Sequence, residues 1–488
     1  MIARCLTRLA AACRLPLSPF SAPPSAATAR APRRIATAAA LVAGLHLALA
    51  PVAAQAQSRR SLAVVRDAET EQLLRDYLKP ILKAAGLPNN NTHVVLVNDR
   101  AFNAFVADSQ RIFVNTGVVI DAKSPNEVIG VLAHETGHIA GNHLSRLHEA
   151  AARAQLLAVI GMLAGAGAVA AGAATGSSAM VGGGAAAIGG GMSVGQRSLL
   201  AYQRGEEDAA DRSALTYLQR TGQSPQGMIK TFERMANDQM MAARYADPYA
   251  QSHPMARDRL QNLETKAQAS PYWNAKDAPA LQARHEMVRA KLAAFTGQPQ
   301  SVARQFPASN TSMPARYARA ILAYRLGDNA SAQTQIDALL REQPNNPYFW
   351  ELKGQSMLEL GNPRGAVGPL QKAVSLAPNA GPIRTLYGQA LVATGNPADA
   401  KKAIPELNRA VRDDPDDSSA YRYLAMAYSQ AGDTAMADLA TAQGYFADGA
   451  VAQAKHYAMR AKAGLKTGTP AWVQADDITS ASVPKLGR

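Results

Sequence analysis

Apolar residues between positions 61 and 85 recur every three or four places, which is the spacing of a helix with one buried face. The recurring residues are Leu73, Leu74, Tyr77, Leu78, Ile81 and Leu82, and the pattern stops at Gly86. Two apolar runs follow, residues 93–98 and 111–115, joined through residues 103–107, and their composition is typical of strands. We therefore expect helices and a small β-sheet, in which the second run offers an extended peptide an edge to pair with.

A second helical pattern surrounds the most informative motif of the chain, residues 134–138 with the sequence HETGH. Ser124 and Pro125 give a helix start, and apolar residues recur at Val128, Ile129, Leu132 and Ile139. Four residues turn an α-helix through about 400°, so His134 and His138 leave the same face and can hold one metal ion. Glu135 can accept a proton from a water molecule without being a ligand. The chain has nine His in 488 residues, so the helical context, more than the motif alone, favours a metallopeptidase.

Catalytic zinc has three protein ligands and one position open to water, so a further ligand is required. His143 lies nine residues after His134 and, on a continuous helix, points away from the metal, as an outer or surface histidine. Glu207 and Asp211 lie four apart near the start of another helical stretch and share one face. One of them can bind the metal while the other supports a ligand. Without the upstream motif, the same carboxylates would simply stabilise a helix N-terminus.

Between Ala154 and Gln196 the chain has no charged residue, and from Gly161 onward Gly and Ala dominate. Residues 154–173 are long enough for a membrane span, but their Gly and Ala make them only weakly hydrophobic. The pattern therefore favours two helices with a hinge at Gly182, Gly183 and Gly184 over a membrane span. A lid over the site, a surface that contacts lipid or substrate, and close packing of small residues between helices all remain open.

The C-terminal half contains an internal repeat. Gly327, Gly361 and Gly395 follow one another at 34-residue intervals, and so do Ala332, Ala366 and Ala400. Such a period is typical of tetratricopeptide repeats, which stack into a helical solenoid and bind peptides or proteins. A further unit contains Gly432, and a decayed one contains Gly449. The alternative is a structural extension without a ligand.

The first 56 residues are typical of a secretory signal: six Arg and no acidic residue precede the apolar run 35–50, and residues 54–56 fit a cleavage site. Cleavage near Ala56 would place the protein in the periplasm. It would also remove Cys5 and Cys13, which excludes disulfides and Cys-ligated metals from the mature chain. Losing six Arg lowers the formal net charge from +14 to +8, which suits peripheral contact with anionic membrane surfaces. No basic-aromatic cluster indicates nucleic acid.

These motifs resemble the gluzincin family that includes HtpX and the CAAX prenyl proteases. The resemblance rests on HETGH, the later Glu207 and Asp211, and the sequence 252–254 with Arg259. It implies one Zn²⁺ held by His134, His138 and Glu207, with Glu135 as general base. It further implies Asp211, Arg204 and Arg259 as outer residues around the ligands. His253 would keep the site latent or steady the transition state, unless it is an ordinary loop residue.

A signal segment, this zinc site and the repeats together resemble the periplasmic β-barrel assembly-enhancing protease family. The implied clients are misassembled outer-membrane β-barrel proteins, and the implied partner of the repeats is the β-barrel assembly machinery. The expected fold is α+β, with a mainly helical zincin-like domain carrying a small sheet and then an all-α solenoid. We expect a signal at 1–56, a protease domain at 57–270, a helical connector at 271–312, repeats at 313–465 and a flexible tail at 466–488. The alternative function is a chaperone or scaffold with a latent metal site.

Overall fold

A computed structural model describes residues 63–88, 92–108, 110–241 and 257–481. Its sheet has four strands in the order β1-β2-β4-β3. The strands are β1 (Val64–Val65), β2 (His93–Val97), β3 (Ala104–Val106) and β4 (Arg111–Asn115). β2 and β4 pair in parallel, while β1 and β3 add antiparallel at the two edges. The predicted small sheet is confirmed, but β4 is an inner strand, so the prediction that it offers the free edge is wrong.

The first core is built on this sheet by a set of helices. They are α1 (Ala68–Ala85), α2 (Thr116–Asp121), α3 (Pro125–Ala140), α4 (His143–Thr175), α5 (Ser178–Arg220), α6 (Gln226–Met241) and α7 (Arg257–Gln268). The predicted first helix is confirmed as α1, because Asp67 caps its N-terminus and Gly86 ends it with a φ of 74°. Leu73 and Ile81 of α1 pack in one core with Leu132 of α3.

Glycines set how closely α3 approaches its neighbours. A Cβ added to Gly137 would lie 2.9 Å from the carbonyl oxygen of Ala210 on α5. One added to Gly130 would lie 2.7 Å from the Cβ of Met228 on α6. Any larger residue would force these helices apart. The two glycines therefore fix α5 and α6 against the helix that contains the HETGH motif.

The apolar insert forms the α4–α5 helical hairpin. Its turn is at Gly176, which has a φ of 72°, and Ser177 caps the start of α5. The predicted hinge at residues 182–184 is wrong, because these glycines lie inside α5. Gly184 is buried there against α4, so its lack of a side chain serves packing rather than bending.

The C-terminal half consists of antiparallel helix pairs. Two helices precede them, α8 (Pro279–Thr296) and α9 (Pro299–Gln305). The pairs are α10 (Met313–Arg325) with α11 (Asn329–Glu342), α12 (Pro347–Glu359) with α13 (Pro363–Leu376), α14 (Gly381–Ala393) with α15 (Pro397–Asp413), and α16 (Ser418–Gln430) with α17 (Thr434–Ala447). The glycines of the 34-residue period each adopt positive φ just after the first helix of a pair: Gly327, Gly361 and Gly395. The repeat prediction is confirmed.

Two helices end the described chain, α18 (Val451–Gly464) and α19 (Pro470–Ser480). The prediction of a flexible tail from residue 466 is wrong for α19. Thr469 caps it, Pro470 begins it, and Ala475 and Ile478 are buried in the same cluster as α18. The predicted signal at residues 1–56 and the residues after 481 lie outside the described chain.

Helix α8 joins the sheet-containing part to the repeats, because its residues enter two cores. Val288 and Leu292 pack with the first core, whereas Ala290 and Ala294 pack with α10 and α11. Buried Lys291 forms ion pairs with Asp67 and, at 3.5 Å each, with Glu69 of α1 and Glu351 of α12. The predicted connector is thus helical, and it is packed on both sides; the domain boundaries themselves stay predictions.

Candidate metal centre

The two histidines of the HETGH motif lie on α3, one turn apart, with their rings facing each other. Their Nε2 atoms are 3.0 Å apart, and the rings meet edge to face with centroids separated by 4.7 Å. The side chain of His134 is fully buried, and that of His138 is nearly so. Helix α3 begins with Pro125 after Ser124 and is buried over most of its length, so the histidine positions are set by core packing.

Glu207 completes the cluster from α5. Its Oε2 lies 3.4 Å from Nε2 of His134, and its Oε1 lies 3.4 Å from Nε2 of His138. The three residues each offer one donor atom, and these atoms all lie within 4.8 Å of one another. Gly137 lets this turn of α5 approach α3, so the carboxylate arrives from a helix that follows some 70 residues later in the sequence.

The spacing and chemistry of these donors fit a zinc ion. Ligand atoms about 2.0–2.1 Å from tetrahedral zinc are separated by about 3.3 Å, close to the observed distances of 3.0 and 3.4 Å. The remote Nδ1 atoms of both imidazoles have partners of their own, so each Nε2 can be directed at a cation in the shared space. A cation bound there would displace the protons from the Nε2 atoms and lie beside the carboxylate of Glu207. His134, His138 and Glu207 therefore fit as zinc ligands, and that role stays a prediction.

Asp211 supports His134 from the next turn of α5. Its Oδ1 accepts a hydrogen bond from Nδ1 of His134 at 2.9 Å. Burial lowers the pKa of His134, but the hydrogen bonds to Asp211 and Glu207 outweigh it and raise that pKa to about 10. Burial raises the pKa of Asp211, but the hydrogen bonds from Arg259 and His134 outweigh it and lower that pKa. The carboxylate therefore stays ionised and fixes the imidazole ring.

Arg259 of α7 connects both carboxylates of α5. It donates to Asp211 through Nε at 2.6 Å and through Nη2 at 2.9 Å, and its Nη1 lies 2.9 Å from Oε2 of Glu207. The guanidinium lies 5.6 Å above the ring of Phe232 and is buried. A rigid fork that holds two buried carboxylates is a task that suits Arg better than Lys.

His143 provides the matching support for His138, as an outer histidine, which is one of the two alternatives that the sequence left open. The Nδ1 atoms of the two rings are 2.9 Å apart, and Nε2 of His143 lies 2.9 Å from Oε2 of Glu206. Burial lowers the pKa of His143 more than Glu206 raises it, so the ring is neutral and can accept from His138 while donating to Glu206. The prediction that His143 points away is wrong, because α3 ends at Ala140 and Asn142 adopts a φ of 52°. The Gly141-Asn142 pair was the available signal for this break.

The remaining predicted residues have different positions. Glu135 is fully buried on α3 beside His134. Arg204 lies on α5 one turn before Glu207, but its side chain is exposed to solvent, unlike that of Arg259. His253 lies outside the described residues. The roles of these three residues stay predictions.

These features define a class of protein: a metallopeptidase domain of the HExxH type, with its third donor on a later helix, followed by helical repeats. Comparison with known families agrees. Residues 68–267 match peptidase family M48, and residues 306–443 match the cytochrome c-type biogenesis protein H TPR domain. The chain contains a peptidase M48 domain, which is a metalloprotease domain, and a TPR domain.

Among curated proteins, this chain is similar to β-barrel assembly-enhancing proteases. It is 25% identical to the one from Yersinia pestis, over 74% of this chain and 73% of that protein. It is 23% identical to the one from Escherichia coli strain K12, over 85% of this chain and 83% of that protein. A putative β-barrel assembly-enhancing protease of Vibrio cholerae is 28% identical over 52% of this chain and 51% of that protein.

Proposed function

We propose that this protein is a zinc-dependent endopeptidase of the periplasm that cleaves misassembled outer-membrane β-barrel proteins and assists the assembly of others. The observation that carries the proposal is the buried His134, His138 and Glu207 cluster, whose donor spacing fits zinc. The named relatives act in β-barrel assembly, which supports the client class. The signal-like first 56 residues support export.

In the proposed mechanism, Glu135 takes a proton from the attacking water and delivers it to the leaving amine. Zinc, when bound, polarises the scissile carbonyl and makes water easier to deprotonate. Asp211 and His143 hold the two imidazoles in the orientation and tautomer that direct Nε2 at the ion. Arg259 holds Glu207 and Asp211 in place.

Strand β3 is the edge we propose for substrate. It pairs with β4 on one side, and no strand of the described chain pairs with its other side. Its residues contact α3, the helix that contains His134 and Glu135. An extended peptide that adds to this edge gains main-chain hydrogen bonds without a strict sequence requirement. Such binding suits an endopeptidase that acts on unfolded strands of a barrel protein.

The TPR domain, in this proposal, binds clients or the β-barrel assembly machinery and brings them to the metal centre. Its attachment through Lys291 and α8 supports a fixed spatial relation between binding and cleavage. A bound client would then have a high effective concentration at the site.

The test compares wild type with Glu135→Gln, with zinc content and hydrolysis of casein and of a misfolded outer-membrane barrel protein as readouts. We expect the variant to retain zinc and to lose at least about a hundred-fold in rate, because it cannot accept the proton. A variant that cuts at the wild-type rate would refute the assignment of Glu135. If this variant restores outer-membrane integrity to a deletion strain as well as wild type does, the chaperone or scaffold alternative is correct.

A further inference from the structure

The α4–α5 hairpin exposes an unusual amount of apolar surface. Helix α4 is long and apolar enough to cross a membrane, yet only 11% of its most apolar 18-residue window is buried. Its exposed large side chains are Leu156, Leu157, Val159, Ile160, Met162 and Leu163, with Leu163 at 70% exposure. A contiguous apolar patch of this kind marks an interaction surface. A lid folded over the metal centre would bury these side chains, which the structure leaves exposed.

The inner side of the hairpin consists of small residues. After His143, the buried residues of α4 are Ala154, Gly165 and Gly172. A Cβ added to Gly172 would lie 2.7 Å from the backbone nitrogen of Val181, and one added to Gly184 would lie 2.5 Å from the carbonyl oxygen of Gly165. The two backbones therefore approach closely and direct the large apolar side chains outward. This distribution is typical of helix pairs in lipid, where tight contact between helices replaces the hydrophobic effect.

The length of the charge-free part matches a bilayer. Residues 154–175 span about 33 Å of helix and residues 178–196 about 28 Å, against a hydrocarbon core of about 30 Å. Polar residues 175–178 form the turn at the far end. At the near end lie four exposed arginines, Arg146, Arg153, Arg197 and Arg204, of which Arg146 pairs with Glu206 and Arg153 with Glu149. Arginines at this level can reach anionic lipid head groups.

We propose that the α4–α5 hairpin inserts into a phospholipid bilayer and anchors the protein at the membrane surface. Glu207 follows Arg197 by ten residues, or about 15 Å along α5, so the metal centre would lie just above the head groups. This inference rests on the proposed function: the protein would cleave polypeptides at the membrane surface rather than in the bulk periplasm.

The test is flotation of the purified mature chain from residue 57, which lacks the apolar run 35–50, after detergent is dialysed away in the presence of phosphatidylethanolamine–phosphatidylglycerol vesicles (3:1). The anchor variant combines Leu156→Asn, Ile160→Asn and Leu163→Asn. Its matched control places three Asn at exposed apolar positions of the repeats: Met426, Phe446 and Met459. We expect wild type and control to float, and the partition coefficient of the anchor variant into the vesicles to fall at least about a hundred-fold. Wild type that stays with the soluble fraction overturns the proposal.

A second measurement reports how deeply the α4–α5 hairpin enters the bilayer. Both cysteines of the sequence, Cys5 and Cys13, precede residue 57, so the mature chain gives a background for single-cysteine labelling. A polarity-sensitive dye at Leu163→Cys should shift to the blue with vesicles and be quenched by lipid-borne quenchers, whereas a maleimide outside the vesicle should not reach Ser177→Cys. Free reaction at Ser177→Cys without a blue shift overturns insertion. Insertion is also overturned if wild type forms a dimer, the anchor substitutions dissociate that dimer, and neither protein floats.

The two proposals fail separately. Glu135→Gln should float as wild type does, because the hairpin is unchanged. The anchor variant should hydrolyse soluble casein at the wild-type rate, because its substitutions lie three turns or more beyond His143 on α4. If wild type does not cleave casein, the peptidase proposal is refuted and the flotation result stays valid.

Discussion

The contact between His143 and His138 gives a sharp prediction for zinc affinity. Replacing His143 by Ala removes the partner 2.9 Å from Nδ1 of His138. Because the ring of His138 is 12% exposed, its Nδ1–H would be left largely without water. The ring would then lose both its orientation and the tautomer that directs Nε2 at the metal.

The expected loss follows from these contacts. A nearly buried donor without an acceptor costs about 1–3 kcal/mol, and loss of an outer partner of a ligand histidine lowers metal affinity about 10- to 100-fold. The two ranges agree, since a tenfold change corresponds to about 1.4 kcal/mol. We therefore expect the zinc Kd to rise about 10- to 100-fold.

The assay is competition with a chelating dye at fixed pH, and circular dichroism verifies the fold. His148→Ala is the matched control, because His148 is exposed on the same helix. We expect His148→Ala to bind zinc as wild type does. If His143→Ala also binds within twofold of wild type, the support that we assign to His143 is wrong.

Further predictions concern packing, the interdomain charge cluster and pH. Gly137→Ala should lower the free energy of unfolding by about 1–3 kcal/mol and weaken zinc binding, because the added Cβ meets the backbone of α5. The control Gly205→Ala, on α5 with open space around it, should raise the free energy of unfolding by up to about 1 kcal/mol. Equal denaturation midpoints for the two variants would contradict this prediction. Lys291→Met should lower the free energy of unfolding by about 3–5 kcal/mol, because it leaves buried carboxylates unpaired. The control Lys353→Met, at a more exposed ion pair, should lower it by less than about 1 kcal/mol. A loss at Lys291 as small as that at Lys353 would refute the prediction. Burial lowers the pKa of His285 to about 4, so protonation of the unfolded chain removes stability as pH falls from about 6.5 to 4. The stability advantage of wild type over His285→Leu should therefore shrink by roughly 3 kcal/mol between pH 7 and pH 4, and a constant difference in urea denaturation would contradict this.

Sequence reasoning predicted those parts of the molecule that local patterns specify. The helical position of HETGH follows from apolar spacing, and the repeats follow from glycines that need positive φ at a constant interval. The sequence assigns Glu207 to the histidines through the helix face that it shares with Asp211 and through a family resemblance. Its arrival at the site depends on Gly137, whose role as a close contact appears only when α3 and α5 pack.

Two of the errors concern glycines, which can either end a helix or let two helices pack closely. Gly141 and Asn142 end a helix that apolar spacing seemed to continue, and this turns His143 back toward His138. Glycines 182–184 stay helical because the partner helix packs against Gly184. Helix α19 was missed because a helix of 11 residues is marginal on its own, and it forms where Ala475 and Ile478 pack against α18.

Zinc content after dialysis against buffered free zinc tests the central claim most directly. The comparison is wild type, Glu207→Ala and Asp208→Ala, the last being an exposed carboxylate of the same helix. We expect one zinc per chain in wild type and Asp208→Ala, and loss of zinc in Glu207→Ala at the same free concentration. Full zinc in Glu207→Ala would show that the carboxylate on α5 is not a ligand, and would contradict the metal centre proposed for this fold.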